Sequence, residues 1–241
     1  MRARKKHMRL KLAADNTVNF KEFVEKRKSV VLVPKTVSQE TYISLLTDFK
    51  RSIVYAAGPA GTGKTMLAVL AGLKYLKEGM VEKIILTRPA VGVEDEKHGF
   101  LPGDLVSKME PWTKPLFDVI LEHYSPKEVA RMIDEQIIEI SPLAFMRGRT
   151  FKKAWIIFDE AQNSTINQMK MLLTRLGDGS KIVITGDLDQ TDKKFMADNG
   201  FKDFTNRVER YNAKHIEGVT FTNKDIQRHP AVKEVLSIYQ V

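Results

Sequence analysis

The stretch Ser52–Lys77 does most to limit what this chain can become. It reads as a short apolar strand, SIVYAA (Ser52–Ala57), then a glycine loop, GPAGTGKT (Gly58–Thr65), then a segment of helical spacing, Met66–Lys77. A strand without polar alternation is buried on both faces, and a helix directly behind it carries the chain back across the sheet. The pattern repeats. Lys83–Thr87 (KIILT), Gln136–Ile140 (QIIEI), Ala154–Phe158 (AWIIF), Lys181–Thr185 (KIVIT) and His215–Thr222 read as strands. Asp104–His123, Ile166–Leu176, Phe201–Tyr211 and Ala231–Tyr239 read as helices, the first kinked or split by Pro111 and Pro115. The fold class expected is α/β, a parallel sheet with helices on both faces. Ligands then belong beyond the carboxyl ends of the strands.

Gly58–Thr65 satisfies G-x-x-x-x-G-K-[ST] in full and stands between a predicted strand and a predicted helix, the setting that gives the motif its meaning. Glycines let the backbone curl so that its N–H groups face inward around phosphate oxygens. The helix that follows adds the positive end of its dipole. The candidate nucleotide-binding residues are thus Gly58, Pro59, Ala60, Gly61, Thr62, Gly63, Lys64 and Thr65. Lys64 is placed to reach the β- and γ-phosphates, and the Thr65 hydroxyl to bind Mg²⁺. From average residue usage, a chance match in a chain this long is on the order of one in a hundred.

Two further strands end in polar residues. In WIIFDEAQN (Trp155–Asn163), Asp159 is the candidate for the Mg²⁺ hydration shell and Glu160 for orienting or deprotonating the attacking water. The competing reading is a pair of exposed acids opening the next helix. In ITGDLDQTD (Ile184–Asp192), Gln190 is the candidate sensor of the γ-phosphate and Asp187 a brace for its loop; an ordinary Gly-Asp turn is the alternative.

Composition narrows the field. A 241-residue chain that is 43% hydrophobic and 29% charged can bury a core, and the absence of cysteine excludes a disulfide scaffold, a thiolate metal site and a cysteine nucleophile. No stretch approaches the roughly 20 apolar residues of a membrane span. The basic N-terminus lacks a following apolar run, so a secretory signal is not expected and the location expected is cytoplasmic. The net charge of +9 is uneven. Residues 1–35 carry 11 Lys or Arg against 3 Asp or Glu, whereas 36–241 are nearly neutral, with 28 against 27. The division expected is a basic arm and lead-in over 1–35 and a single α/β domain over 36–241. The arm reads either as an electrostatic contact for nucleic acid or as a solvated tail.

The motifs together resemble the PhoH family. Besides the loop there are TRPAV (Thr87–Val91), GFLPGD (Gly99–Asp104), MRGRTF (Met146–Phe151), DEAQN (Asp159–Asn163), LTRLG (Leu173–Gly177), TGDLDQ (Thr185–Gln190) and RHP (Arg228–Pro230), in that order. The resemblance implies a RecA-like P-loop NTPase fold similar to the first core of superfamily-one helicases. It also implies ATP and Mg²⁺ as cofactors, ATP hydrolysis, and RNA or single-stranded nucleic-acid binding or unwinding. It assigns Lys64, Thr65, Asp159, Glu160 and Gln190 to nucleotide chemistry. Pro34–Tyr42 is similar to the adenine-reading segment of such ATPases, with Gln39 as the contact; the alternative is that Thr36 or Ser38 simply caps a helix. Arg228 is the arginine-finger candidate, donated to a neighbouring copy in a homo-oligomer, a hexameric ring; a structural ion pair is the alternative.

Arg88, Arg147 and Arg149 follow predicted strands and are candidates for nucleic-acid contact or for subunit bridging. Trp112 is a candidate stacking platform or a packed side chain. Gly92–His98 (GVEDEKH) and the TDKK after Gln190 depart from the family pattern. The compact arrangement resembles bacteriophage versions of the family, which would place it in the host cytoplasm. Three readings compete: an ATP-driven motor on RNA or single-stranded nucleic acid, an NTPase switch or assembly factor without helicase activity, and a small-molecule kinase. The DEAQ and G-D-x-x-Q segments disfavour the kinase.

Overall fold

A computed structural model describes residues 30–89, 105–192 and 197–238. The arm up to residue 29, Gly92–His98, GFLPGD, the lysine pair of TDKK and the expected helix end at Tyr239 lie outside them. So does the side chain of Trp112.

Six strands form one all-parallel sheet: β1 (Ile53–Ala57), β2 (Lys83–Thr87), β3 (Ile138–Ile140), β4 (Ala154–Phe158), β5 (Lys181–Gly186) and β6 (Ile216–Thr220), in the order β3-β2-β4-β5-β1-β6. Among the described residues seven α-helices lie around it: α1 (Val37–Thr47), α2 (Lys64–Lys77), α3 (Leu105–Leu121), α4 (Pro126–Asp134), α5 (Ile166–Leu173), α6 (Gly200–Arg210) and α7 (Pro230–Ile238). This is the expected α/β architecture.

Successive side chains of a strand point to opposite faces, and each face has its own core. Val54, Ala56, Ile84, Leu86, Trp155, Ile157 and Val183 pack with residues of α1–α4. Tyr55, Ile85, Ile156, Phe158, Ile182 and Ile184 pack with α5 and α6, chiefly through Met169, Leu172, Phe201 and Phe204. Trp155 ties the first layer together. Its indole N–H donates to the Ala68 carbonyl of α2 at 3.0 Å, and its ring stacks on Tyr75. Gly72 makes that approach possible, since a Cβ there would lie 2.6 Å from the indole.

Two local expectations are corrected. The helix over Pro111 and Pro115 is not split: α3 runs through both. Each proline removes one helical hydrogen bond, but Thr113, Leu116 and Ile120 lie on one buried stripe that holds the helix to the core. The helix expected over Ile166–Leu176 ends at Leu173, where Thr174 caps it. Helix α4 went unread in the sequence although Ser125-Pro126-Lys127-Glu128 forms a capping box with proline at N1. Among the described residues no helix is long and apolar enough to cross a membrane.

Candidate nucleotide site

Strand register brings the predicted segments to one edge. Ala57 lies opposite Gly186 and Thr220, and Thr87 lies opposite Phe158. The residues immediately after β1, β2, β4 and β5 are therefore Gly58, Arg88, Asp159 and Asp187, side by side. Main-chain bonds continue the ladder past the strands, from Gly58 N to Gly186 O, Asp159 N to Thr87 O and Phe221 N to Ala57 O.

The glycine loop crosses this edge and enters α2. Gly58, Gly61 and Gly63 take positive φ (135°, 81° and 84°), where a side chain is strained. At Gly58 a Cβ would also stand 2.4 Å from the Phe221 carbonyl. Lys64 folds back on its own loop and donates to Gly58 O at 2.6 Å and Pro59 O at 2.7 Å. Burial pulls its ammonium below its ordinary value, and Asp187, Asp159 and Glu160 act in the opposite sense. A buried cation clasped by neutral carbonyls and the Thr62 hydroxyl, amid carboxylates, suits an arriving phosphate. A cavity of about 250 Å³ opens in front of it, lined by the loop, Met66, Asp159, Glu160, Gly186, Asp187 and Gln190.

Asp159 is fixed from two sides. Its Oδ1 accepts from Thr65 Oγ1 at 2.8 Å and from Thr185 Oγ1 at 2.6 Å. Thr185 is fully buried in β5. One carboxylate beside one loop hydroxyl is the protein's share of a site for a phosphate-bound Mg²⁺. Among the described residues no group of three or more His, Asp or Glu forms a metal cage. The residues present fit a cation brought with a nucleotide.

Glu160 adopts a left-handed conformation (φ 53°, ψ 39°), which in a non-glycine residue costs about 1–3 kcal/mol. The turn breaks strand periodicity and sends the side chain across the pocket. Its Oε2 accepts from Gln162 Nε2 at 2.6 Å, and its Oε1 lies 3.8 Å from the Arg88 guanidinium. Gln162, 1% exposed, also accepts the Asp187 N–H at 3.0 Å, joining the ends of β4 and β5. Gly186 leaves room for that bridge, because a Cβ there would lie 2.9 Å from Gln162 Oε1. Asp187 accepts from Asp189 N and so shapes the turn that brings Gln190 to the cavity wall.

The other candidates separate. Gln39 is 1% exposed beneath the loop, not open to a base: Nε2 donates to Thr62 O at 2.9 Å and Oε1 accepts from Lys35 N at 2.7 Å. Thr36 is the N-cap of α1, as the capping alternative foresaw. Arg228 lies against its own chain, since a Cβ on Gly61 would meet Arg228 Nε at 2.4 Å and Gln227 N donates to Gly61 O. Within the single chain Arg228 therefore stands over its own glycine loop. Arg149 forms a two-pronged pair with Glu139 over the Phe151 ring. Arg147 is exposed and, among the described residues, has no polar partner.

Thr185 and Gln162 were missed by sequence reasoning. Both stand inside quoted motifs, but nothing in a single sequence distinguishes a threonine that braces a carboxylate from one that fills a strand. The hydroxyl of Thr87, buried at the end of β2 without a hydrogen-bond partner among the described residues, is a third such polar group at this edge.

Comparison with known proteins agrees with this arrangement. A family model described as PhoH-like protein matches residues 31–240. A PhoH-like protein of Synechocystis is 41% identical over 217 residues, 89% of this chain and 64% of that protein. A PhoH-like protein of Bacillus subtilis is 40% identical over 239 residues, 95% of this chain and 72% of its own length. Protein PhoH of Escherichia coli K12 is 33% identical over 218 residues, 89% of this chain and 60% of its own. The chain thus spans about three-fifths to seven-tenths of the length of these relatives. A matched domain of this extent, an all-parallel α/β sheet and a complete glycine loop at its carboxyl edge agree: the chain belongs to the PhoH-like family.

Proposed function

We propose that this protein is a Mg²⁺-dependent ATPase that couples hydrolysis to binding, and in some settings unwinding, of RNA or single-stranded nucleic acid. The observation that carries the reading is the carboxylate of Asp159, held between Thr65 and Thr185 directly in front of the glycine loop. Bound MgATP supplies the transferable γ-phosphoryl group, with the metal neutralising charge across its oxygens.

The chain's own residues do the rest. Inward N–H groups of Gly61–Thr65 cradle the phosphates. Lys64 exchanges two loop carbonyls for phosphate oxygens. Thr65 and Asp159 hold the cation, and Glu160 orients water and takes up its proton. Gln162 and Arg88 position the Glu160 carboxylate. Gln190 senses the γ-phosphate from the β5 turn. Arg228, over Gly61, neutralises developing charge in cis, and Gln39 supports the loop from below. A ring of six copies, which the family resemblance implies, is tested by light scattering with and without nucleotide.

The deciding experiment is ATP turnover with RNA, with single-stranded DNA and with neither. Turnover stimulated by a strand, and nearly lost in Glu160→Gln while ATP binding persists, is the expected result. Normal turnover in Glu160→Gln refutes the assignment of the base. Turnover indifferent to every strand leaves an NTPase switch.

A further inference from the structure

Residues Leu143–Met146 form a single 3₁₀ turn after β3. With three residues per turn, side chains three apart share a face. Leu143 and Met146 point to the core, whereas Ala144 and Arg147 open onto a groove. Phe145 occupies the remaining face and is 61% exposed beside that groove. The opposite wall is the first turns of α5, where Asn167, Gln168 and Met171 share one face. The groove encloses about 340 Å³, within the range of small-ligand sites of roughly 300–1,000 Å³.

Three observations say what fits there. Arg147 is a cation with no polar partner among the described residues, whereas Arg149 is held by Glu139 and Arg88 faces Glu160. The Gln168 Oε1 is used in the cap of α5, accepting from Thr165 N, which leaves the amide N–H₂ for a ligand; Asn167 is exposed with both amide ends available. An aromatic ring anchored on a turn with a buried underside is a rigid stacking surface, and one base on an aromatic face is a recurring unit of single-strand recognition.

We propose that this groove seats a nucleotide of a single-stranded nucleic acid. Arg147 pairs with a phosphate, one base enters between Ala144 and Met171 with its edge on Asn167 and Gln168, and the next base stacks on Phe145. The assignment rests on the nucleic-acid reading above and gives it a place. The position suits coupling: the helix forming one wall follows directly on the Ala161–Asn163 turn that carries Gln162 behind Glu160.

The test is fluorescence anisotropy of labelled U12 RNA and labelled dT12, each over a range of salt, with wild type, Arg147→Glu, Phe145→Ala and, as an equal charge change on the far side of the glycine loop, Lys224→Glu. Melting curves establish that each variant is folded. Both groove variants are expected to weaken binding about ten-fold, with Lys224→Glu near wild type. Arg147→Glu should also flatten the salt slope by about 0.7, the loss of one phosphate contact on a single strand. Comparing U12 with dT12 tells whether RNA is preferred. If wild type binds a strand and both groove variants bind it equally well, the groove assignment falls while the wider reading stands. If wild type binds neither strand, both fall. If affinity is unchanged but light scattering shows that the groove variants alter the oligomeric state, the face is an interface between copies and the proposal is overturned.

Discussion

Replacing Thr185 by valine keeps the shape of a fully buried side chain and deletes one hydroxyl. That hydroxyl donates a 2.6 Å hydrogen bond to Asp159 Oδ1, the oxygen that Thr65 also serves. Hydrogen bonds to charged groups contribute about 1.5–3 kcal/mol net. Since the backbone and the methyl group are retained, the loss should fall near that range. With a urea m-value near 3 kcal/mol/M, the unfolding midpoint should drop by roughly 0.5–1 M without a change in slope. Because this hydrogen bond is already formed before nucleotide arrives, Mg²⁺-dependent ATP binding should lose only the part by which a bound cation strengthens it, a weakening of about ten-fold or less at 1.4 kcal/mol per decade. A double-mutant cycle isolates the pair. In an Asp159→Asn background, Thr185→Val should cost only the 0.5–1.5 kcal/mol or so of a neutral hydrogen bond. Equal costs in both backgrounds, or a Thr185→Val protein with unchanged midpoint and ATP affinity, would refute the bracing role.

Four other outcomes are expected. Lys64→Ala should abolish nucleotide turnover with little effect on folding, read by phosphate release alongside circular dichroism. Gly72→Ala should drive a methyl group into the Trp155 indole and cost about 1–3 kcal/mol, a melting temperature lower by at least roughly 2 °C in calorimetry. Burial pulls the Lys181 ammonium down to about 8, so above that pH the unfolded chain holds the proton more tightly than the folded one. Stability should therefore rise with pH between about 8 and the unfolded value near 10.4, and this part of the slope should vanish in Lys181→Met. Deleting residues 1–11, which carry six Lys or Arg and no acid, should weaken strand binding and reduce its salt dependence while leaving basal turnover; an unchanged salt slope would make the arm a tail.

The strands and the edge they define were legible because burial on both faces leaves an unmistakable mark: beyond their first position KIILT, AWIIF and KIVIT admit no charged residue, and KIILT and KIVIT turn polar only at the closing threonines Thr87 and Thr185. Register then follows from the crossovers, which is why Gly58, Asp159 and Asp187 could be grouped before any coordinate was known. Boundaries were less legible. Helix α5 stops at Leu173 because Thr174 and Arg175 turn their side chains back on helix carbonyls, an event with no apolar signature. Helix α3 survives two prolines because tertiary burial outweighs local propensity. At the site, residues whose chemistry is intrinsic, such as Lys64 and Asp159, declared themselves. Those whose role is positional did not. Gln39 looks like a base reader until its two amide ends are found spent on Thr62 and Lys35. Arg228 gives no sign in the sequence that it stands over Gly61 of its own loop.

The strand order has a consequence for how the protein is made. Among the described residues strand β1, from which the glycine loop springs, pairs with β5 and β6, so Ile53 waits for Ile182 on one side and Ile216 on the other. During synthesis the loop gains its first neighbour, β5, only after roughly 130 further residues, and its second, β6, after roughly 160. At about 5–20 residues per second, the wait for both is on the order of ten to thirty seconds. The nascent chain spends most of it with β2 and β4 able to pair and an apolar SIVYAA strand unclaimed. Nucleotide capture is thus the last competence this domain acquires, and chains arrested before β6 should carry a recognisable phosphate motif yet hold no nucleotide.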